Sequence, residues 1–222
     1  MKPFKPLLPV ALLAVLGAGA FSALNLAPQS AFAKSNKIAA PKVAKPGQQT
    51  ATFAAGCFWS MEAIFKQLKG VQSVEPGYAG GSLKNPTYEQ VEEANTGHAE
   101  TVNIIFDPKV ITYRDLLDVL LTVRNPTTLN QQGPDSGPQY RSVIFARNAT
   151  QKKEAQDAIK RIGASHLWNA PIVTQVADLS TFYRAEDYHL NYYNLHPNEG
   201  YCAGVIGPEL DEFRTKFKSK LK

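Results

Sequence analysis

The chain has 222 residues, 44% of them hydrophobic and 19% charged, which excludes a disordered or fibrous protein and leaves room for one substantial domain. Part of its formal net charge of +5 comes from lysines near the two ends of the chain. Because nucleic-acid binding needs a basic face on the folded body, this distribution predicts no nucleic-acid partner.

The N-terminal segment predicts export. Lys2 and Lys5 precede an apolar run over residues 7–26, and Ala31-Phe32-Ala33 supplies the small-x-small pattern of a cleavage site. We therefore predict a signal peptide over residues 1–33 and localisation in the periplasm or another extracytoplasmic compartment. The apolar run also approaches the ~20 residues that cross a bilayer, so a retained leader would anchor the protein in the membrane.

Residues 34–50 are rich in Lys, Pro, Ala and Gln without apolar periodicity, which predicts a flexible linker. The folded body is expected over residues 51–210, followed by a basic, helix-like C-terminal end over residues 211–222. Within the body, apolar and β-branched patterns predict strands at residues 50–55, 71–78, 101–106, 140–146 and 172–176. Helical spacing predicts helices at residues 58–68, 87–94, 113–123, 150–162 and 186–194.

The order strand–helix–strand–strand–helix–strand is that of the split βαβ motif. We therefore predict an α+β fold, a ferredoxin-like two-layer sandwich in which helices cover one face of an antiparallel sheet. The C-terminal tail is expected to be irregular.

The chain contains two cysteines, Cys57 and Cys202. In an exported protein they form either one structural disulfide or a nucleophile and its resolving partner, and composition does not separate these interpretations. Cys202 lies between Gly200 and Gly204, where a mobile tail would suit a thiol that must travel to another.

The segment Gly56-Cys57-Phe58-Trp59 follows a predicted strand and begins a predicted helix. Free backbone N–H groups at such a junction favour a thiolate, and Gly56 permits close approach of the backbone to a substrate. Phe58 and Trp59 place two aromatic rings beside the sulfur. The alternative is that Cys57 is a small buried hydrophobic residue in an aromatic core.

Glu100 ends the segment Gly97-His98-Ala99-Glu100 at the start of a predicted strand. In an apolar aromatic setting its pKa would be raised, which suits a general acid, although an ordinary exposed Glu is the alternative. His98 also permits a Cys–His nucleophile of the cysteine hydrolase type, but no third orienting residue is evident.

Residues 125–133 form a long polar loop that predicts a substrate-facing segment. Tyr88 and Tyr140 could donate hydrogen bonds to a polar oxygen, or could be half-buried structural residues. His189, His196 and Cys202 match no standard zinc spacing, so we predict no metal site and expect no cofactor.

Six segments in order resemble the A-type peptide methionine sulfoxide reductases, over residues 51–207. They are Gly56-Cys57-Phe58-Trp59, Gly77-Tyr78-Ala79-Gly80-Gly81, Asn85-Pro86-Thr87-Tyr88, Gly97-His98-Ala99-Glu100, Gln139-Tyr140-Arg141-Ser142 and Gly200-Tyr201-Cys202. The resemblance implies an α+β catalytic domain that reduces the S epimer of methionine sulfoxide, free or in proteins, and so repairs oxidised proteins.

The resemblance also implies residue roles. Cys57 would attack the sulfoxide sulfur, Glu100 would protonate its oxygen, and Tyr88 and Tyr140 would hydrogen-bond that oxygen. Cys202 would resolve the sulfenic acid as a disulfide, which a thioredoxin-like dithiol reduces.

Three further residues would bind the substrate: Phe58 and Trp59 would hold its S-methyl group, and Asp135 would bind its main chain. The sequence departs from the family pattern in having Arg124-Asn125 where His-Asp is usual, and Pro134 and Pro138 where Asn and Thr are usual. The body has no exposed apolar stripe that would predict an oligomer, so a monomer is expected.

Overall fold

The computed structural model describes residues 38–222. The signal peptide predicted over residues 1–33 therefore lies outside the described residues, as does the start of the predicted linker. Residues 38–48 form no helix or strand, and the backbone N–H of Lys42 donates to the Glu75 carboxylate at 2.7 Å. The first strand begins at Gln49, so the folded body begins two residues before the predicted boundary.

Within the described residues, six strands form one mixed sheet and two short strands form a hairpin. The strands are β1 (Gln49–Ala54), β2 (Val71–Ala79), β3 (Ala99–Phe106), β4 (Gln131–Gln132), β5 (Asp135–Ser136), β6 (Val143–Ala146), β7 (Gln175–Asp178) and β8 (Phe182–Arg184). The helices are α1 (Phe58–Lys66), α2 (Tyr88–Glu92), α3 (Tyr113–Val123), α4 (Ala149–Ala164), α5 (Tyr192–Leu195) and α6 (Gly207–Lys216).

The strand order in the large sheet is β7-β6-β1-β3-β2-β8. Neighbouring strands are antiparallel except β6 and β7, which are parallel. The prediction of a purely antiparallel sheet is therefore wrong at this edge, because α4 connects β6 to β7 as a crossover and so returns the chain in the same direction. The α+β class is confirmed, and the ferredoxin-like two-layer sandwich stays a prediction.

The main core lies where α1, α3 and α6 cover the sheet. In α3, a capping box formed by Thr112 and Asp115 fixes the first turn, and leucines at helical spacing are buried beneath it. All eight residues of β3 are buried, including the polar Glu100, Thr101 and Asn103, so both faces of this central strand are covered. A smaller apolar cluster lies on the second face of the sheet, formed by Ala54, Ala79, Ala99, Val143 and Phe145.

Two predicted elements differ in their bounds. The strand expected from residue 140 begins at Val143, because Pro138 starts a 3-10 turn over Pro138–Tyr140. The helix expected over residues 186–194 is broken by Asn191, whose φ is +59°. It becomes a 3-10 turn over Asp187–His189 followed by α5.

The segment around Cys202 is helical, so the prediction of an irregular tail is wrong there. A π-helical turn over Cys202–Ile206 continues directly into α6. Ile206, Leu210 and Phe213 recur at helical spacing and are fully buried, which is the physical reason for the helix. The boundary predicted after residue 210 falls within α6, and Lys222 still hydrogen-bonds the body through the Gln67 carbonyl. Between residues 38 and 222, no helix combines the length and apolar character needed to cross a bilayer.

Candidate active site

A cavity of about 200 Å³ lies at the N-terminus of α1. It brings together seven of the eight predicted site residues and adds one that the sequence analysis did not assign to the site. The lining residues are Cys57, Phe58, Trp59, Tyr88, Glu100, Asp135, Tyr140 and Tyr201. A larger open groove of about 690 Å³ between the N-terminal segment and α4 contains none of the predicted residues.

Cys57 is the N-cap residue of α1, and Gly56 before it has a φ of +79°. A Cβ on Gly56 would lie 2.5 Å from Cγ of Gln132 and 2.6 Å from Nη2 of Arg124. Glycine is therefore required here for both backbone conformation and packing. Close approach of the substrate, the predicted reason for Gly56, is wrong, because protein side chains occupy that space.

The Cys57 side chain is buried, with 6% exposed. Burial raises the pKa of its thiol well above the ordinary value, and the nearby Glu100 raises it further. Hydrogen bonds from the backbone amides of Trp59 and Ser60 and from the Tyr201 hydroxyl lower this pKa. The helix N-terminus thus acts in the predicted direction, but desolvation outweighs it, and the resting residue is a thiol.

Glu100 lies in β3 opposite Tyr78 of β2, and only 2% of it is exposed. Its Oε2 accepts a hydrogen bond from the Phe58 backbone N–H at 2.8 Å. Burial raises the pKa of Glu100 well above its ordinary value, the Phe58 hydrogen bond opposes this rise, and the carboxylates of Glu92 and Asp135 add to it. The raised pKa that the sequence predicted is therefore found.

Aromatic rings form one wall of the cavity. The rings of Phe58 and Tyr88 stack with centroids 6.2 Å apart, and Trp59 stacks on Tyr192 at 3.8 Å. The Trp59 indole N–H donates to Nδ1 of His189 at 3.0 Å. His189, considered above as a metal ligand, therefore holds the indole in place.

Tyrosine hydroxyls pair with carboxylates at the edge of the cavity. Tyr140 donates to Oε2 of Glu92 at 3.0 Å, and Tyr201 donates to Oδ2 of Asp135 at 2.5 Å. Neither Glu92 nor Tyr201 was predicted as a site residue. Glu92 lies one helical turn after Tyr88, a spacing that places both on one face of α2 and would have indicated its position.

His98 does not contribute to the cavity. Its Nδ1 accepts from the Gly81 backbone N–H at 3.1 Å, and its Nε2 lies 2.8 Å from the Leu83 carbonyl oxygen. Because both ring nitrogens are engaged in the loop after β2, the geometry argues against a Cys57–His98 hydrolase dyad. Among residues 38–222, no group of three or more His, Cys, Asp and Glu side chains is placed to hold a metal ion.

Arg124, one of the departures noted above, is a buried cation behind the Cys57 turn. It donates to the Ala55 carbonyl oxygen at 2.8 Å and to the Ser60 hydroxyl at 3.0 Å. It also forms an ion pair of 2.5 Å with Glu209 of α6. The guanidinium therefore connects the strand that precedes Cys57 with the C-terminal helix.

Cys202 is fully buried in the π-helical turn and does not line the cavity. Both cysteines are free thiols. Burial raises the pKa of Cys202, and Glu199 adds to the rise. Tyr201, its neighbour in sequence, is the residue through which this segment reaches the cavity.

Comparison with known proteins identifies the family. A family model described as peptide methionine sulfoxide reductase matches residues 49–221. The peptide methionine sulfoxide reductase MsrA of Polynucleobacter asymbioticus is 51% identical, over 78% of this chain and 92% of the relative. The MsrA of Ralstonia nicotianae is 49% identical, over 78% and 93% of the two chains.

Solved structures agree with this comparison. The reduced form of Mxr1 from Saccharomyces cerevisiae aligns with a TM-score of 0.68 at 33% identity, covering 72% of this chain and 92% of that one. Methionine sulfoxide reductase A of Corynebacterium diphtheriae aligns with a TM-score of 0.64 at 31% identity, covering 69% and 77%. The chain belongs to the peptide methionine sulfoxide reductase family and is an oxidoreductase that acts on sulfoxides.

Proposed function

We propose that the protein reduces the S epimer of methionine sulfoxide, free or in proteins, with Cys57 as the nucleophile and Glu100 as the acid. The observation that carries this proposal is their common cavity, in which Phe58, the residue after the thiol, donates its N–H to Glu100 at 2.8 Å. A buried carboxyl group with a raised pKa keeps its proton to higher pH than an exposed one and can transfer it to an oxygen.

In the proposed reaction, the Cys57 sulfur forms a bond to the sulfoxide sulfur while Glu100 gives its proton to the sulfoxide oxygen. The oxygen then passes to Cys57 as the S–O bond of the substrate breaks, which releases methionine and leaves a sulfenic acid. The proton of the Cys57 thiol returns to Glu100. The substrate is thus reduced by two electrons, Cys57 is oxidised by two, and no net proton is consumed.

The cavity wall supports the proposed orientation of the substrate. Phe58 and Trp59 offer an apolar surface to the S-methyl group, and such a contact is worth roughly 1–3 kcal/mol of selection. Tyr88 and Tyr140 face the same space and would hydrogen-bond the sulfoxide oxygen. Asp135 also lines the cavity and would bind substrate main-chain N–H groups.

Cys202 is the proposed resolving residue. Its thiol would attack the Cys57 sulfenic acid, form the disulfide and release water, and an external dithiol of the thioredoxin type would reduce that disulfide. The sulfur must leave its buried place for this step, so the π-helical turn over Cys202–Ile206 would unwind. A π turn is a weak form of helix that often marks a functional segment, which supports this role.

We also propose that the protein acts outside the cytoplasm, where the predicted signal peptide over residues 1–33 would send it. Recovery of the folded body outside the cytoplasm of a cell that expresses the full chain would support this. So would its recovery in the cytoplasm after deletion of residues 2–33. Cytoplasmic recovery of the full chain would contradict it.

The first experiment on the reaction is mass spectrometry of a methionine sulfoxide peptide incubated with the reduced protein and dithiothreitol. We expect the peptide to lose the mass of one oxygen with the wild type and not with Cys57→Ser. Glu100→Gln should slow this loss by roughly 10²-fold or more, the usual contribution of a general acid. Full activity of Cys57→Ser would end its assignment as nucleophile, and an unchanged rate for Glu100→Gln would end its assignment as acid.

A further inference from the structure

The hydrogen of the Tyr140 hydroxyl is committed to a carboxylate at the edge of the cavity. Tyr140 Oη lies 3.0 Å from Oε2 and 3.3 Å from Oε1 of Glu92, the last residue of α2. A phenol has one O–H and donates one strong hydrogen bond at a time. While Tyr140 donates to Glu92, it has no hydrogen to offer a sulfoxide oxygen in the cavity.

Glu92 lies in acidic surroundings. Glu100 of β3 and Asp135 of β5 face it from the cavity, and the Gln139 side chain hydrogen-bonds it from the turn that carries Tyr140. The nearby Arg141 guanidinium is directed to the carbonyls of Pro138 and Gly97. Burial raises the pKa of Glu92 and Asp135 adds to the rise, whereas Tyr140 and Gln139 lower it.

The direction of the Tyr140 hydrogen bond depends on the proton of Glu92. An ionised carboxylate only accepts, so it takes the phenol hydrogen. A protonated carboxyl group can donate its own O–H to Tyr140 Oη, which leaves the phenol hydrogen free to turn into the cavity. The two states therefore present a different donor to the substrate without moving any backbone atom.

We propose that Glu92 is a positioning residue for sulfoxide reduction, whose protonation decides whether the Tyr140 hydroxyl donates to Glu92 or to the bound sulfoxide oxygen. This rests on the role proposed above for Tyr140. The neutral form of Glu92 is the productive one, and its ionisation withdraws a donor from the transition state. Glu92→Gln mimics the neutral form, because the amide N–H donates to Tyr140 Oη in a side chain of the same shape.

A double-mutant cycle tests this. Methionine formation in a single turnover, with enzyme in excess, is measured at pH 6 and pH 8 for the wild type, Glu92→Gln, Tyr140→Phe and the double variant. Loss of the Glu92 charge also acts on Glu100, but it does so with either residue at position 140. The ratio of the two Glu92→Gln effects therefore isolates the part that acts through Tyr140.

At pH 8 we expect Glu92→Gln to raise the rate more when residue 140 is Tyr than when it is Phe. The ratio of these two effects should be roughly 3-fold or more, which is in the range of one hydrogen bond. The ratio of the two Glu92→Gln effects should be closer to one at pH 6, because more of the wild-type Glu92 carries a proton there. In the wild type alone, the rate should fall more steeply from pH 6 to pH 8 than in Tyr140→Phe. This last comparison needs no variant at position 92, so it stands even if Glu92→Gln folds poorly.

Glu93→Gln is the matched control, because Glu93 is the exposed neighbour of Glu92 and its side chain accepts a hydrogen bond from the Asn95 amide, away from the cavity residues. It should leave the rates and their pH dependence unchanged. Equal effects of Glu92→Gln in both backgrounds, with Tyr140→Phe slow, would overturn the inference and leave the proposed reaction standing. A Tyr140→Phe variant as fast as the wild type at pH 6, where more of Glu92 carries a proton and Tyr140 can donate to the substrate, would overturn both the inference and the proposed role of Tyr140.

Discussion

The Tyr201 hydroxyl donates to Oδ2 of Asp135 at 2.5 Å, and both residues line the cavity that contains Cys57. The same hydroxyl lowers the pKa of the Cys57 thiol, while burial raises it. Tyr201 precedes Cys202 in the chain. It therefore connects three groups: Asp135, which is proposed to bind the substrate, the proposed nucleophile Cys57, and the segment that contains the second thiol. The resting position of the C-terminal segment therefore affects the reactivity of Cys57.

Tyr201→Phe is expected to make Cys57 less reactive. When Cys57 ionises, the Tyr201 hydrogen can turn from Asp135 to the thiolate. Removal of the hydroxyl takes this donor away, so the pKa of Cys57 should rise further above its ordinary value. The pH profile of alkylation by iodoacetamide, recorded in a Cys202→Ser background so that one thiol reacts, should move to higher pH. Tyr193→Phe, outside the cavity, should leave the profile in place, and a shift to lower pH with Tyr201→Phe would contradict the assignment.

Cys202→Ser is expected to perform one turnover and then stop when thioredoxin is the reductant. Without the second thiol, the Cys57 sulfenic acid has no partner with which to form the disulfide that thioredoxin reduces. The measurement is methionine released per enzyme, which should level off near one equivalent, whereas the wild type continues. Dithiothreitol must be absent, because a small thiol can reduce the sulfenic acid directly. Sustained turnover would exclude Cys202 as the resolving residue.

Gly56→Ala is expected to destabilise the fold. A side chain at a φ of +79° is strained by about 1–2 kcal/mol, and the new Cβ would overlap Gln132 and Arg124, which adds about 1–3 kcal/mol. Urea unfolding should show this loss as a lower midpoint. Gly133→Ala is the matched control, because its φ is +56° but nothing lies within 4 Å of its Cβ. It should cost only the conformational part, and equal losses for the two variants would contradict the packing argument.

Much of the site was predictable because its residues lie in short segments with a chemical reason for each side chain. Cys57, Phe58 and Trp59 are consecutive, so the start of one helix places all three, and the helix over residues 113–123 has the predicted bounds. Strand pairing places Glu100 opposite Tyr78. These relationships depend on local pattern and on the pairing of neighbouring strands.

The features of the fold and site that could not be predicted depend on contacts between distant parts of the chain. The ion pair of Arg124 with Glu209 joins residues 85 positions apart, and no local pattern indicates it. The helical tail around Cys202 is stabilised by burial of Ile206 and Leu210 against the main core. Its glycines, Gly200 and Gly204, favoured an irregular segment, and tertiary packing overrode that preference. The thiol form of Cys57 could not be predicted for the same reason, because it depends on the burial of the side chain.

Glu100→Gln is expected to stabilise the protein at neutral pH while it slows the reaction. The folded-state pKa of Glu100 is raised above the unfolded value of about 4.3, so folding binds a proton once the pH exceeds that value. The wild type therefore loses stability relative to the glutamine variant as the pH rises from about 4 to the folded-state pKa, with a limiting slope of about 1.4 kcal/mol per pH unit.

Above the folded-state pKa the difference in stability between Glu100→Gln and the wild type becomes constant. Below about pH 4 this difference vanishes, apart from any change in packing. The glutamine Oε1 can still accept from the Phe58 N–H, so the bond that the carboxylate makes to α1 is kept. Urea unfolding of both proteins between pH 4 and pH 8 measures the difference, with the exposed Glu93→Gln as the pH control. If the stability of Glu100→Gln relative to the wild type fell between pH 4 and pH 8, the ionised carboxylate would be stabilising the fold. The raised pKa would then have to be abandoned, and with it the reason why Glu100 retains a proton for the sulfoxide oxygen.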